Sequence, residues 1–243
     1  MQPNTLELES VTKKFGGKAA VKDISMSVPP GEIHGLIGPN GSGKTTTIKM
    51  IAGLYRPTKG VVRVAGHDVV KSPTKAKRRL GYIPDDPVAY ERLTGREFME
   101  FVGQLYGMDR AKRDRRIDEL LGRYGVADLA NGRIDSYSRG TRQKISILAA
   151  LLHEPALLLV DEPMVGLDPM SARVTKELFR EFAAAGGAIL LSTHTLSVAE
   201  DLCRRIAVLK AGSIIEEGTV AELGAKAGLG RGTLEDYYLA LTA

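Results

Sequence analysis

The chain has 243 residues, 43% hydrophobic and 26% charged, with a formal net charge of +5. That composition supports a folded core and excludes a disordered chain. No apolar run reaches the length of a bilayer span, the start Met1-Gln2-Pro3-Asn4-Thr5-Leu6-Glu7 lacks a basic-then-apolar leader, and the single cysteine, Cys203, excludes an intrachain disulfide, so a reducing, cytoplasmic setting is expected.

Residues 5 to 30 alternate polar and apolar around Gly16-Gly17 and stop at Pro29-Pro30-Gly31, which predicts a β-hairpin. Glu32 to Ile37 then reads as a short buried strand. It runs into Gly38-Pro39-Asn40-Gly41-Ser42-Gly43-Lys44-Thr45, which matches the P-loop pattern G-x-x-x-x-G-K-[ST] at every fixed position. A helical pattern follows from Thr45 and Thr46 to Leu54. Strand, glycine loop and helix together make an anion site, because loop N–H groups turn inward and the helix N-terminus adds partial positive charge. The pattern assigns Lys44 to the β- and γ-phosphates of a nucleotide and the Thr45 hydroxyl to Mg²⁺. Gly38, Pro39, Asn40, Gly41, Ser42, Gly43 and Thr46 complete the expected phosphate cradle.

Gly60 to Gly66 and Leu80 to Pro84 read as further strands, the second in the core. The basic cluster Lys75 to Arg79 lies between them. From Asp85 to about His153 β-branched runs give way to helical periodicity. Thr94-Gly95-Arg96-Glu97 is a capping box that opens a helix with Phe98, Phe101, Val102 and Leu105 expected on its inner face. A second basic cluster, Arg110 to Arg116, precedes Ile117, Leu120 and Leu121 at helical spacing, so its charges are expected to form a solvated helix face. With the positive charge modest and dispersed, a nucleic-acid partner is not expected.

Ser138 to Leu152 is predicted helical. Ala156 to Val160 is wholly apolar, as in a strand buried on both faces of a parallel sheet, and it ends in Asp161-Glu162-Pro163. Two adjacent carboxylates at a buried strand end call for a cation. Magnesium and its waters fit that need, with Asp161 holding the metal shell and Glu162 able to take a proton from an attacking water. A helix near Ser171 to Ala185, a strand Ala188 to Ser192, a helix Ser197 to Cys203, strands Arg205 to Leu209 and Ser213 to Glu216, and a last helix capped at Thr233 complete the chain. Alternation of strands and helices predicts an α/β fold.

The segment Tyr137-Ser138-Arg139-Gly140-Thr141-Arg142-Gln143-Lys144, just upstream of the Asp161 strand, resembles the signature sequence, usually L-S-G-G-Q, of ATP-binding cassette (ABC) ATPases. Gly166-Leu167-Asp168 resembles that family's D-loop and His194 its switch histidine, and Phe15 falls where the family stacks an aromatic on adenine. The resemblance covers essentially the whole chain in the right order. It is nearest to cytoplasmic ATPase subunits of bacterial exporters for drugs, ions or peptides, whose endings are similar to Leu234 to Thr242.

The resemblance implies a P-loop NTPase core with a parallel sheet, an N-terminal antiparallel β subdomain and an inserted helical subdomain. On that division residues 1–84 hold the β subdomain and P-loop, 85–153 the helices, and 154–243 the rest of the core. It implies ATP and Mg²⁺ as ligands. Ser138 and the Gly140 N–H would donate to a γ-phosphate, and His194 would hold that phosphate or the attacking water. One P-loop and one signature imply a dimer, with a second copy or a related subunit, that drives a multispanning membrane permease docked near Asp85 to Tyr106. Two positions depart from the pattern. Arg139 stands in place of a Gly, and Asp85 in place of a Gln. A carboxylate at 85 still meets Mg²⁺ through water, but it repels phosphate and cannot donate when ionised. Two alternatives stay open: a soluble ABC ATPase acting on nucleic acid or ribosomes, and a nucleotide-gated subunit that hydrolyses weakly.

Overall fold

The computed structural model describes residues 3–87, 90–228 and 232–242; Met1, Gln2 and Ala243, at the ends of the segments expected above, lie outside them. Strands β1 (Leu6–Phe15) and β2 (Lys18–Val28) form the expected hairpin, closed by Gly16-Gly17. Next come β3 (Ile33–Ile37), α1 (Lys44–Ile51), β4 (Lys59–Val64), β5 (His67–Asp68), α2 (Pro73–Lys77) and β6 (Leu80–Ile83). A helical stretch contains α3 (Gly95–Leu105), α4 (Arg110–Tyr124), a 3₁₀ turn at Ile134–Ser136, and α5 (Arg139–Leu151). The remainder is β7 (Leu157–Asp161), α6 (Pro169–Ala184), β8 (Ala188–Thr193), α7 (Leu196–Leu202), β9 (Arg205–Lys210), β10 (Ser213–Gly218), α8 (Val220–Lys226) and α9 (Leu234–Thr242).

Two sheets result. The antiparallel sheet has the order β2-β1-β4-β5, and the larger sheet the order β10-β9-β3-β8-β7-β6. The larger sheet is parallel from β9 to β6, whereas β10 pairs antiparallel with β9. Its strands β3, β7 and β8 are buried along their whole length because both faces are covered. Along β7 the side chains alternate between two cores. Leu158 and Val160 pack with the helical side, and Leu157 and Leu159 pack with α1 and the antiparallel sheet.

The helical stretch corrects two expectations. The capping box at Thr94 and Glu97 forms, with the Glu97 N–H donating to Thr94 Oγ1 at 3.1 Å and the Thr94 N–H to Glu97 Oε2 at 2.8 Å. However, α3 buries Phe98 and Met99, leaves Phe101 and Val102 half-buried, and exposes 67% of Leu105. The apolar stripe at helical spacing therefore runs off the core and ends on an open groove. In α4, Ile117, Leu120 and Leu121 are buried as expected, but Arg113 is buried with them and pairs with Asp114 at 2.7 Å. Its methylenes fill the space beside Gly103, so this cation is not part of a solvated face.

Strand register decides what meets at one end of the sheet. Ile37 lies opposite Thr193, and Asp161 lies opposite Ser192. The loop after β3, the carboxylates closing β7 and the residues after β8 therefore converge at the carboxyl ends of three neighbouring parallel strands, where ligands of open α/β sheets are bound.

Candidate nucleotide site

The P-loop leaves β3 and enters α1 through Gly43, whose φ is 113°. A Cβ at Gly43 would fall 2.7 Å from the backbone oxygen of Ala20, so both the angle and the space demand glycine. Lys44 is 7% exposed and donates from Nζ to Gly38 O at 2.7 Å and Pro39 O at 3.2 Å. Burial draws its pKa below the usual lysine value, opposed by the charges of Glu162 and Asp161.

Asp161 is 2% exposed. Burial raises its pKa, the hydroxyls of Ser192 and Thr45 lower it, and the charges of Glu162 and Asp85 add to the rise. Glu162 sits at φ 50°, a left-handed conformation that a side-chain-bearing residue adopts at a cost. Its carboxylate accepts from Thr193 Oγ1 at 2.9 Å, from the His194 N–H at 2.8 Å and from His194 Nδ1 at 2.6 Å.

These groups surround one cavity of about 420 Å³. Of the expected residues, Asn40, Gly41, Gly43, Lys44, Thr45, Thr46, Asp85, Asp161, Glu162 and His194 line it. Gly38, Pro39 and Ser42 shape the loop from behind: Gly38 and Pro39 offer their carbonyls to Lys44, and Ser42 is buried. Phe15, 45% exposed at the end of β1, meets Tyr55 edge to face at 5.3 Å, with Lys13 Nζ 4.8 Å from its ring centre.

Ser138 and Gly140 do not line this cavity. Ser138 caps α5, its Oγ accepting from the Thr141 N–H at 3.2 Å. Gly140 lies in the first turn of α5, and a Cβ there would fall 2.5 Å from Gly166 O. The Gly166–Asp168 segment is thus pressed against the start of α5. Asp168 caps α6 through the Ser171 N–H at 2.9 Å and receives Lys144 Nζ at 3.2 Å.

Sequence reasoning missed Ala20 and Val165, which line the cavity, Thr193, which holds Glu162, and Tyr55 beside Phe15. Thr193 was within reach, since it immediately precedes His194; the other three carry no pattern in the sequence.

A second cavity, of about 580 Å³, adjoins the first and shares Thr45, Asp85 and Asp161 with it. Leu54, Tyr82, Phe98, Val102 and Leu105 make its apolar wall. At its far side Tyr106 stacks on His153, and both Tyr106 Oη, at 3.2 Å, and His153 Nε2, at 3.1 Å, donate to Leu80 O.

Residues 21–165 match the family described as ABC transporter. The chain is 38% identical over 229 residues to the daunorubicin/doxorubicin resistance ATP-binding protein DrrA of Streptomyces peucetius, spanning 94% of this chain and 69% of that protein. It superposes on the structure of an ATP-binding subunit of an ABC transporter with a TM-score of 0.95 at 35% identity, covering 98% of this chain and 100% of the other. It also superposes on a dimeric, post-hydrolysis ATP-binding cassette bound to ADP and Pi, with a TM-score of 0.81 at 27% identity, over 88% of this chain and 98% of the other. With the P-loop, the paired carboxylates and the histidine gathered at one end of a parallel sheet, these likenesses place the chain in the ABC transporter family, as an ATP-binding and ATP-hydrolysing subunit.

Proposed function

We propose that the chain works as a dimer enclosing Mg²⁺ and ATP between a P-loop of one copy and the Ser138–Gly140 turn of another copy or a related subunit, and that this dimer drives export through a separate multispanning membrane subunit. The observation carrying the reading is the split of the expected residues: Lys44, Thr45, Asp161, Glu162 and His194 share one cavity, and Ser138 and Gly140 stand outside it. A single chain therefore offers half of each site. The dimeric cassette and the resistance protein among its relatives support the dimer and the export direction.

The donor set suits magnesium. Asp161 is buried without a cationic partner among the ion pairs of the described residues, and the Thr45 hydroxyl is beside it. No cluster of three or more His, Cys, Asp or Glu among the described residues forms a closed metal cage. Magnesium is typically held this way, by one carboxylate, a hydroxyl, waters and substrate phosphates. Thr45 and Asp161 would hold it, with Asp85 reaching its water shell, and when bound it supplies charge neutralisation at the β- and γ-phosphates. Lys44 is the cation for the same phosphates, and the loop N–H groups cradle them. Glu162 takes the proton of the attacking water. His194 orients Glu162 through Nδ1 and keeps Nε2, an acceptor, for that water. Phe15 offers its exposed face to adenine.

The membrane subunit docks in the groove walled by Leu54, Tyr82, Phe98, Val102 and Leu105, with residues 85–153 as the docking unit between 1–84 and 154–243. Held by this partner, the chain sits peripherally on the inner face of the membrane; no helix among the described residues is long and apolar enough to cross it. Light scattering after size exclusion tests the composite site. Glu162→Gln with Mg-ATP runs as a dimer, and with ADP as a monomer. A variant that stays monomeric at saturating ATP refutes the shared site.

A further inference from the structure

The two positions at which the chain departs from the ABC pattern, Asp85 and Arg139, lie 54 residues apart and meet in the fold. Arg139 Nη2 is 3.6 Å from Asp85 Oδ1 and 3.5 Å from the Asp85 carbonyl oxygen. Asp85 lines the nucleotide cavity beside Thr45, Asp161 and Glu162, so it adds a third carboxylate to a pocket that must receive a polyanion. The carboxylates that the Lys44 charge acts on are Glu162 and Asp161, and its Nζ is bonded to the carbonyls of Gly38 and Pro39. Among the described residues, the ion pair of Asp85 is with Arg139.

Arg139 is built to stay there. It is the first residue of α5, with its backbone fixed by the Ser138 cap, and its Cγ and Cδ lie against Gly166. The guanidinium is carried by a side chain backed on one side by packed backbone, which reduces the entropy lost when it pairs. Both side chains are a little over half exposed, so the pair is weak in stability terms. Its effect is local: it removes an uncompensated negative charge from the mouth of the phosphate site.

We propose that Arg139 is a positioning residue for its own chain's nucleotide site, acting through Asp85, in addition to belonging to the turn presented to the partner. This rests on the reading of the cavity as the ATP site. Asp85 and Arg139 are a matched pair: the carboxylate is tolerated near the triphosphate because the guanidinium holds it, and an Arg at 139 has its counter-charge supplied by Asp85.

The test is a double-mutant cycle read by calorimetric ATP affinity in EDTA, where neither metal nor turnover contributes, on monomeric protein. Arg139→Ala leaves the Asp85 carboxylate unopposed and weakens metal-free ATP binding about two- to fivefold, the scale of an exposed pair. Arg139→Lys, which keeps the charge, stays within about twofold of wild type. In the Asp85→Gln background, Arg139→Ala produces no further loss, since the repelling charge is gone. An equal loss in both backgrounds, or none in either, overturns the proposal. Absence of ATP binding by the wild-type chain would instead refute the site itself, so the two failures are distinct.

Discussion

Glu162 Oε1 receives two hydrogen bonds from one residue, the backbone N–H of His194 at 2.8 Å and its ring Nδ1 at 2.6 Å. An ionised carboxylate only accepts, so Nδ1 carries the proton and Nε2 of the neutral ring is left as an acceptor. The histidine is thereby fixed in tautomer and orientation by the carboxylate it serves. His194→Ala should lower kcat by up to about 10²- to 10⁴-fold, the range for disabling the general base that it orients, while ATP affinity changes only a few-fold. Steady-state ATPase assays paired with calorimetry separate the two; a loss carried entirely by KM would contradict this role.

Lys44→Ala should weaken ATP binding by about ten- to a hundredfold, the scale of losing charge-assisted bonds to phosphate. In the structure Lys44 is nearly buried and bonded to its own loop, so the variant also leaves two carbonyls without that donor. Titration calorimetry is the check, with thermal unfolding recorded beside it. Unchanged affinity would mean the phosphates bind elsewhere.

Ser138→Arg introduced into Glu162→Gln should abolish the ATP-dependent dimer while leaving ATP binding by the single chain intact. The bulk enters at the cap of α5, outside the chain's own cavity. Sedimentation velocity with Mg-ATP reads the outcome. A dimer as stable as that of Glu162→Gln alone would show that this turn does not meet the partner's nucleotide.

His153 provides a pH prediction. Burial holds its pKa down to about 4, opposed by the bond to Leu80 O. A His with a depressed folded pKa is neutral in the native state and takes up a proton on unfolding. Its stabilising effect is therefore complete above about pH 6.5, the unfolded value, and is lost as pH falls from there toward 4. Between pH 7 and pH 5 this amounts to roughly 2 kcal/mol. His153→Phe keeps a ring against Tyr106 and removes the titration, so its urea-unfolding free energy should drop less over that interval than that of wild type. An equal drop would place the acid sensitivity in other groups.

Much of the site was legible because its chemistry is contiguous. Gly38 to Thr45 and the apolar run ending at Asp161 and Glu162 each state their strand context within ten residues, and the parallel sheet then brings them together by register. Leu105 was misassigned because helical spacing reports which residues share a stripe, not whether that stripe faces a core or an open groove. Arg113 was misread because a cation on an amphipathic helix is ordinarily solvated, and the space beside Gly103 that its methylenes fill comes from another helix. The meeting of Asp85 with Arg139 was illegible for the same reason: each looked like an isolated departure, and only the packing of α5 against the end of β6 makes them neighbours.

Strand β6 occupies the edge of the six-stranded sheet, so β7 alone restrains it through a backbone ladder. At one end its Leu80 carbonyl is gripped by Tyr106 and His153 on the groove wall; just past the other, Asp85 enters the nucleotide cavity. At about 3.3 Å per residue, the distance from Leu80 to Asp85 is at most roughly 17 Å. A protein docked in the groove as proposed would therefore press on two rings bonded to one end of this strand, while the other end leads to Asp85 in the nucleotide cavity.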